Sequence, residues 1–548
     1  MKNKTIKKNS KAFYTRRASM LFCLMLAAGT FLIIKLYDLA MYDNTSKLVL
    51  SGQYTRSVVA AEHTGFIYDR NGKLITPSSS GGIAIVNPAG SRDKNTAAVF
   101  LVKYSLVSFS EVISKLSVPE PFTVTLSVLP EESAPDGVYV YPLYSEESGT
   151  FCRHLLGYKD SDGVGRDGIY LKYWRLLASK TGRLSYSFQA DASGTMFHSD
   201  AFSVKNDGYS DKSGIVLSID TQMQKDLDEI CDNYLDMGAA VVCNLSDFSI
   251  CALTSRPLYD SEDIASSLDS DRGELINRAF SLYTPGSVFK TVVAAAALEY
   301  EEELYNFEYE CTGSTNVSGK IFRCHDLSGH GKQTMKEAYA NSCNTYFIAL
   351  AEQIGLHAIC ETARKMGLGE AVILDGLYVK GALIPDDTQK YTPAYLANIS
   401  FGQGDLMTTP MDMLRVFAVC ATGRVRDFSL VSGVYEQDEM IYFSEKLSEP
   451  VLSDNTVNKL LDMMRFCVTN GTGWQALADN VNTGGKTATA QSGQYKNGEE
   501  ILHRWFAGVF PIENPKYAMV VLCDGNGENE VNPAVIFSKF ADSVYSDD

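Results

Sequence analysis

Polar and apolar residues alternate in several different rhythms along this chain, and each rhythm predicts a different element. Ala18 to Ile34 carries no charge, and with Lys35 snorkelling and Leu36-Tyr37 at the interface it approaches the roughly 20 residues a membrane helix needs. Ser51 to Ala61 reads as extended, and His63 to Thr76 as a hairpin turning at Asn71-Gly72. Residues 77–205 are polar and turn-rich, with β-like runs such as FTVTLSVL and GVYVYPLY and one amphipathic helix within Gly165 to Gly182. They read as a spacer or packing domain without chemistry. Residues 206–214, NDGYSDKSG, have linker composition. From Ile215 the pattern tightens into a strand, a cap at Asp220 or Thr221, and a helix with Met223, Leu227 and Ile230 on one face. Two apolar runs around Asn244–Asp247 predict a hairpin, and so does HRWFAGVFPIENPKYAMVV near the end, with helical segments between them. Strands at both ends with helices gathered between imply an α+β fold, an antiparallel sheet with helices on its faces.

Composition changes the picture in two places. At 548 residues the chain exceeds what one core holds, so two or more domains are expected. The net charge of −17 argues against a nucleic-acid binder. That charge is uneven, because residues 1–17 hold seven basic side chains and no acid. A basic flank before an apolar run, with no A-x-A-like site behind it, reads as an uncleaved anchor rather than a signal peptide. The expected division is a cytoplasmic tail at 1–17, an anchor at 18–37, a membrane-proximal domain at 38–205 and a second domain at 214–548, with everything after about residue 38 external.

Candidate chemistry centres on Asn277 to Val293, NRAFSLYTPGSVFKTVV. Pro285-Gly286 is a turn, and Ser287 and Lys290 follow at helical spacing ahead of an apolar run. That spacing puts both side chains on one helix face. A desolvated lysine with a lowered pKa can take the serine proton, and a helix N-terminus favours negative charge on the serine oxygen. Ser-x-x-Lys alone is a weak signal. Two further strings strengthen it: Ser342-Cys343-Asn344 between two helical segments, and Lys486-Thr487 opening an extended segment after Gly484-Gly485. Ser-x-x-Lys, Ser-x-Asn and Lys-Thr-Gly in that order mark penicillin-binding proteins and class A β-lactamases. A P-loop is excluded because Asn480 stands where its first glycine belongs, and neither a G-x-S-x-G elbow nor H-E-x-x-H occurs.

With these motifs the chain resembles the class B penicillin-binding proteins, membrane-anchored transpeptidases that cross-link peptidoglycan. TGFIYDRNGKLI, LSIDTQMQ, VCNLSDFSICALTSRP, SCNTYF, SFGQGDLMTTPMDM and RWFAGVFPIENPKYAMVV resemble family blocks in the family's order. Two departures stand out: Thr64 where Arg is usual, and Ala488 where the third motif has Gly. The resemblance implies Ser287 as nucleophile, Lys290 as its base, Ser342 as proton relay, and Asn344 holding Lys290 and the substrate amide. It also implies Lys486 and Thr487 as binders of the peptide's terminal carboxylate, and an oxyanion hole of the Ser287 and Thr489 amides. If Lys486 faces the ligand, so does residue 488, and the Ala488 methyl is expected to narrow the cleft. No metal or organic cofactor is implied. The implied partners are D-Ala-D-Ala stem peptides, β-lactams and a membrane glycan polymerase serving elongation, division or sporulation. A D,D-carboxypeptidase or β-lactamase of the same fold, and a weakly active β-lactam sensor or scaffold, are the alternatives.

Most of the twelve cysteines sit in apolar strings as small hydrophobes. Cys311 and Cys324 instead bracket a polar loop. Three readings stay open for them: a disulfide, a structural zinc shared with His325 or His330, and two free buried thiols.

Overall fold

The computed structural model describes residues 3–41, 55–145, 151–190, 202–261, 263–444, 448–496, 498–525 and 531–546. The start of the expected strand at Ser51 lies outside them. Its contacts divide the chain into two compact units.

The first unit comprises residues 1–62, 79–144 and 182–209. It opens with a helix over Asn3–Met41. Within it Tyr14–Asp38, mean hydropathy 2.1, is the stretch among the described residues long and apolar enough to cross a membrane. The strand Ser78–Val86 organises the rest, between Phe122–Leu126 and Val138–Ser145. Side chains alternate across a strand, and both faces of this one are used. Ala84 and Val86 pack with Ala97, Leu101, Val112 and Leu116 of the helices Lys94–Tyr104 and Phe109–Ser117. Ile83 and Ile85 pack with Leu184, Tyr186 and Phe188. Those come from Gly182–Gln189, the middle strand of a second three-stranded sheet with Thr55–His63 and Ser203–Asp207.

The second unit comprises residues 63–78, 145–181 and 210–548. It corrects the expected boundary at 205, because two segments from the supposed membrane-proximal domain belong to it. The hairpin Phe66–Tyr68 and Leu74–Thr76 forms as expected, its turn held by Gly72 at φ +78°. It then pairs in parallel with Gly214–Leu217. The helix Gly168–Ser179 sends Ile169 and Leu177 into the large core. Local periodicity shows that such segments exist but not which core buries them.

The central sheet runs Ile250–Arg256, Gly238–Asn244, Tyr517–Asp524, Glu499–Phe510, Gly484–Lys496, each neighbour antiparallel. Its middle strands are continuous apolar runs because helices cover both faces. Ala240 and Val242 meet the cluster of Leu227 and Phe537, from the helices Thr221–Tyr234 and Pro533–Val544. Ala239 and Val241 face the larger core that holds Val292 and Phe417. Asp220 caps the first of these helices by accepting from the Gln222 and Met223 amides. Gly484–Lys496 is an edge strand, so its outer side is open to a ligand.

Candidate active site

The nucleophile segment follows from local chemistry. Pro285-Gly286 turns the chain, with Gly286 at φ +57°, and Gly286–Phe289 forms one 3₁₀ turn before the α-helix Lys290–Tyr300. Ser287 therefore sits on the tight entry turn and Lys290 is the first α-helical residue. Every residue from Lys290 to Leu298 is buried, which makes this the central helix of the core. Four hydrogen bonds fix its entry. The Gly286 amide donates to the Gly402 carbonyl (2.9 Å). The buried Trp505 indole donates to the Thr284 carbonyl (3.1 Å). Arg278 and Tyr283 both donate to Asp524 at 3.1 Å. A Cβ on Gly402, itself at φ +78°, would lie 2.0 Å from the Gly286 carbonyl oxygen, so the SFGQG loop needs glycine there to seat against the turn.

Ser342 and Cys343 link the helices Met335–Ala340 and Asn344–Lys365, and Asn344 opens the second. Ser342 is held at φ +54°, a left-handed conformation uncommon for a non-glycine residue. In that conformation it offers both carbonyl and hydroxyl to one partner, the Lys290 ammonium nitrogen. Lys290 Nζ donates to the Ser342 carbonyl at 2.7 Å and to Asn344 Oδ1 at 2.7 Å, and stands 3.5 Å from Ser342 Oγ. It has no exposed surface. Burial, reinforced by the nearby Lys486 ammonium, holds Lys290 well below the ordinary lysine range. A neutral amine has two N–H bonds and one lone pair. Two carbonyl acceptors take the N–H bonds, which leaves the lone pair for a hydroxyl proton.

The edge strand supplies the third wall. A cleft of about 780 Å³ is lined by Ser287, Ser342, Asn344, Thr487, Ala488 and Thr489, among others. Lys486 is not in this lining. It is fully buried one layer behind, donating to the Thr487 carbonyl (3.0 Å) and facing the Tyr339 ring, and burial lowers its pKa. Lys486, Ala488 and Ala490 share the strand's inward face. A Cβ on Gly286 would stand 3.5 Å from the Ala488 methyl and 2.9 Å from that of Ala490. The Ala488 methyl thus fills space beneath the nucleophile turn, and the expected narrowing of the cleft by it is corrected. Strand alternation does place Lys486 and Ala488 on one face, but that face is the buried one.

One lining residue lies outside the three motifs, Thr472, whose hydroxyl lies 2.8 Å from Thr487 Oγ1. Its amide donates to the Ala340 carbonyl (3.0 Å), tying the edge strand to the Ser342 loop. A Gly-Thr-Gly turn shortly before Lys-Thr was the available signal. Gln403 and Gly404 of the SFGQGD block also line the cleft.

Cys311 and Cys324 are both buried, and neither is in a disulfide. Cys324 Sγ lies 3.9 Å from Cys343 Sγ, the middle residue of the second motif. Their contact pushes the Cys324 thiol down and the Cys343 thiol up, as expected of two sulfurs sharing one proton.

Comparison with known proteins agrees with this geometry. Residues 238–541 match the model of the penicillin-binding protein transpeptidase domain. Stage V sporulation protein D of Bacillus subtilis is 29% identical, over 93% of this chain and 82% of its own length. The peptidoglycan D,D-transpeptidase MrdA of Haemophilus influenzae is 23% identical, over 98% of this chain and 92% of its own. Among solved structures, a penicillin-binding protein (PBP2) from Helicobacter pylori superposes with a TM-score of 0.65 at 20% identity, covering 89% of this chain and 99% of that one. The chain belongs to the class B penicillin-binding proteins, as a member of their transpeptidase family.

Proposed function

We propose that this protein is a peptidoglycan D,D-transpeptidase working through an acyl-enzyme on Ser287, anchored by its N-terminal helix with the basic tail in the cytoplasm. The observation that carries the reading is the Lys290 amine, fully buried and bonded to Ser342 and Asn344 beside the cleft that Ser287 lines. Ser287 Oγ attacks the carbonyl of the penultimate D-alanine while the Lys290 lone pair takes its proton. The oxyanion is received by the Ser287 and Thr489 amides, each such donor contributing roughly 2.7–4 kcal/mol to the transition state. Collapse expels the terminal D-alanine, its amine protonated from Lys290 through the Ser342 hydroxyl. An amine from a neighbouring stem peptide then attacks the ester and regenerates Ser287. Thr487 and Thr489 present hydroxyls to the terminal carboxylate, and the buried Lys486 charge acts on it from behind Thr487. Asn344 holds Lys290 and the substrate amide.

β-Lactams enter as substrate mimics and stop at the acyl stage. The deciding experiment is mass spectrometry of the full chain after penicillin exposure, with products analysed in the presence of an amine acceptor. Acylation on Ser287 and a cross-linked product are expected. An unlabelled serine overturns the mechanism, and hydrolysis without transfer moves the activity to a D,D-carboxypeptidase. A membrane glycan polymerase is the proposed partner, docking on the anchor and on the unit of residues 55–62, 79–144 and 182–209. Its undiminished co-purification with a chain lacking 79–144 would remove that unit from the docking surface.

A further inference from the structure

Beside the second motif lies a cluster the reaction does not use. Cys311 ends the short strand Tyr309–Cys311, Cys324 follows the strand Lys320–Arg323, His330 precedes Gly331–Gln333, and Cys343 stands between Ser342 and Asn344. One ligand atom from each, three sulfurs and an imidazole nitrogen, lies within 4.8 Å of all the others. The three cysteines are buried and His330 is half-buried. We propose that Cys311, Cys324, His330 and Cys343 bind one Zn²⁺ in a closed tetrahedral site that pins the Ser342-bearing loop to the neighbouring hairpins.

The dimensions favour a metal over a covalent bond. Zinc–sulfur arms of about 2.3 Å put tetrahedral vertices roughly 3.8 Å apart. Cys324 Sγ lies 3.9 Å from Cys343 Sγ and 3.5 Å from His330 Nδ1. A disulfide would need the sulfurs at about 2.05 Å and would use only two of the three. The loop is shaped to hold the group closed: Cys324 N donates to the Gly313 carbonyl (2.9 Å), and a Cβ on Gly329, at φ +88°, would fall 2.3 Å from the Cys311 carbonyl oxygen. Three thiolates with one imidazole is a structural zinc set. Binding releases the three thiol protons to solvent and changes no oxidation state.

The position gives the site its consequence. Cys343 is flanked by the two residues that hold Lys290, so a metal at Cys343 fixes the backbone that orients the base. The test uses the full chain purified in detergent without chelator and reads metal content, which is independent of whether the enzyme transfers or hydrolyses. About one zinc per chain is expected, falling at least tenfold in Cys311→Ser and Cys324→Ser, and retained in His330→Cys, which rebuilds a four-thiolate set. Metal-free wild type given Co²⁺ should develop the absorption of tetrahedral cobalt–thiolate, a readout that needs no variant. The proposal is overturned by wild type that holds less than about a tenth of an equivalent after incubation with Zn²⁺. It is equally overturned by zinc unaffected in Cys311→Ser, or by a Cys324–Cys343 disulfide in the peptide map of protein isolated with zinc present.

Discussion

The two units bury different things. In the unit of residues 1–62, 79–144 and 182–209, the buried polar side chains among the described residues are Asn87, Ser91 and Ser185, and none of them is ionisable. Its ion pairs, such as Lys103–Glu132 and Arg183–Glu62, lie at the surface. The other unit buries Lys290, Lys486, Arg256, Arg278, Arg415, Asp69 and Asp412. A buried charge is a cost unless something specific repays it, and apolar replacements are often as stable or more so. A packing unit can avoid that cost. A catalytic unit cannot, because a lysine becomes a base at neutral pH only when water is kept from its ammonium. Of these buried charges, Lys290 and Lys486 mark where the chemistry is.

The largest expected effect comes from removing the buried amine that the chemistry uses. Lys290→Met keeps a long side chain in the fully buried slot but leaves the Ser342 carbonyl and Asn344 Oδ1 without their donor, and penicillin acylation should slow by about 10²–10⁴-fold. In wild type the acylation rate should rise with pH as Lys290 loses its proton and level off well below the lysine range near 10.4. A rate still climbing at pH 10 would show that Lys290 is not the desolvated base.

Next in size is a charge with a structural use. Arg278 is 3% exposed and donates to Asp524 and to the Arg272 and Gly273 carbonyls. Arg278→Ala leaves Asp524 with Tyr283 as its remaining donor beneath the nucleophile segment and should destabilise this unit by about 1–3 kcal/mol. Glu132→Ala, which breaks an exposed pair in the other unit, is the control and should leave the Tm unmoved. Equal Tm shifts for the two variants would erase the contrast between the units.

Much of this arrangement was legible beforehand because it rests on short-range rules. Pro-Gly before Ser287, the Asp220 cap, the turn at Asn71-Gly72 and the antiparallel hairpins are fixed by local dihedral and hydrogen-bonding preferences. The Ser-x-Asn string pointed to Ser342 and Asn344, which the structure brings to Lys290. What could not be read depends on which face of an element turns inward. Period-two alternation put Lys486 and Ala488 on one face of the edge strand without saying that the core lay there. Thr472 meets Thr487, and Cys343 joins Cys311, Cys324 and His330, only through tertiary packing; the zinc reading of the loop held the last three residues but not Cys343. The allocation of residues 63–78 and 145–181 to the second unit is of the same kind.

Asp412 sets a smaller test of the same contrast. It closes a capping box on the helix Pro410–Thr422, accepting from the Thr409 amide and hydroxyl through Oδ2 at 2.8 Å, while its buried Oδ1 has no partner. Burial raises its pKa to about 6. A carboxyl raised above its unfolded value binds its proton more tightly when folded, so stability is greatest below about pH 4 and falls as pH climbs through 6. At about 1.4 kcal/mol per unit, the loss is roughly 3 kcal/mol. Asp412→Asn keeps the oxygen acceptor and cannot ionise, so its stability should not fall over that range. Parallel Tm-versus-pH curves for variant and wild type would show that Asp412 is already ionised without cost.

The smallest effect is expected at Ala488, where the family's third motif has glycine. Had its methyl projected into the cleft, Ala488→Gly would speed acylation by opening space for the substrate backbone. It projects instead toward Gly286, within the core that includes Val288 and Trp505. Removing it leaves a void of one methyl beneath the turn that carries Ser287. A methylene-sized loss costs about 1 kcal/mol of stability, and glycine adds backbone freedom to the strand at a further cost of roughly 0.5–1 kcal/mol. Both act on the folded state rather than on the path of the substrate. Ala488→Gly should therefore lower the Tm slightly and change the penicillin acylation rate by less than about threefold, under 0.7 kcal/mol of barrier. A tenfold faster acylation at unchanged Tm would put the methyl back in the substrate's way and reverse the assignment of the strand's two faces.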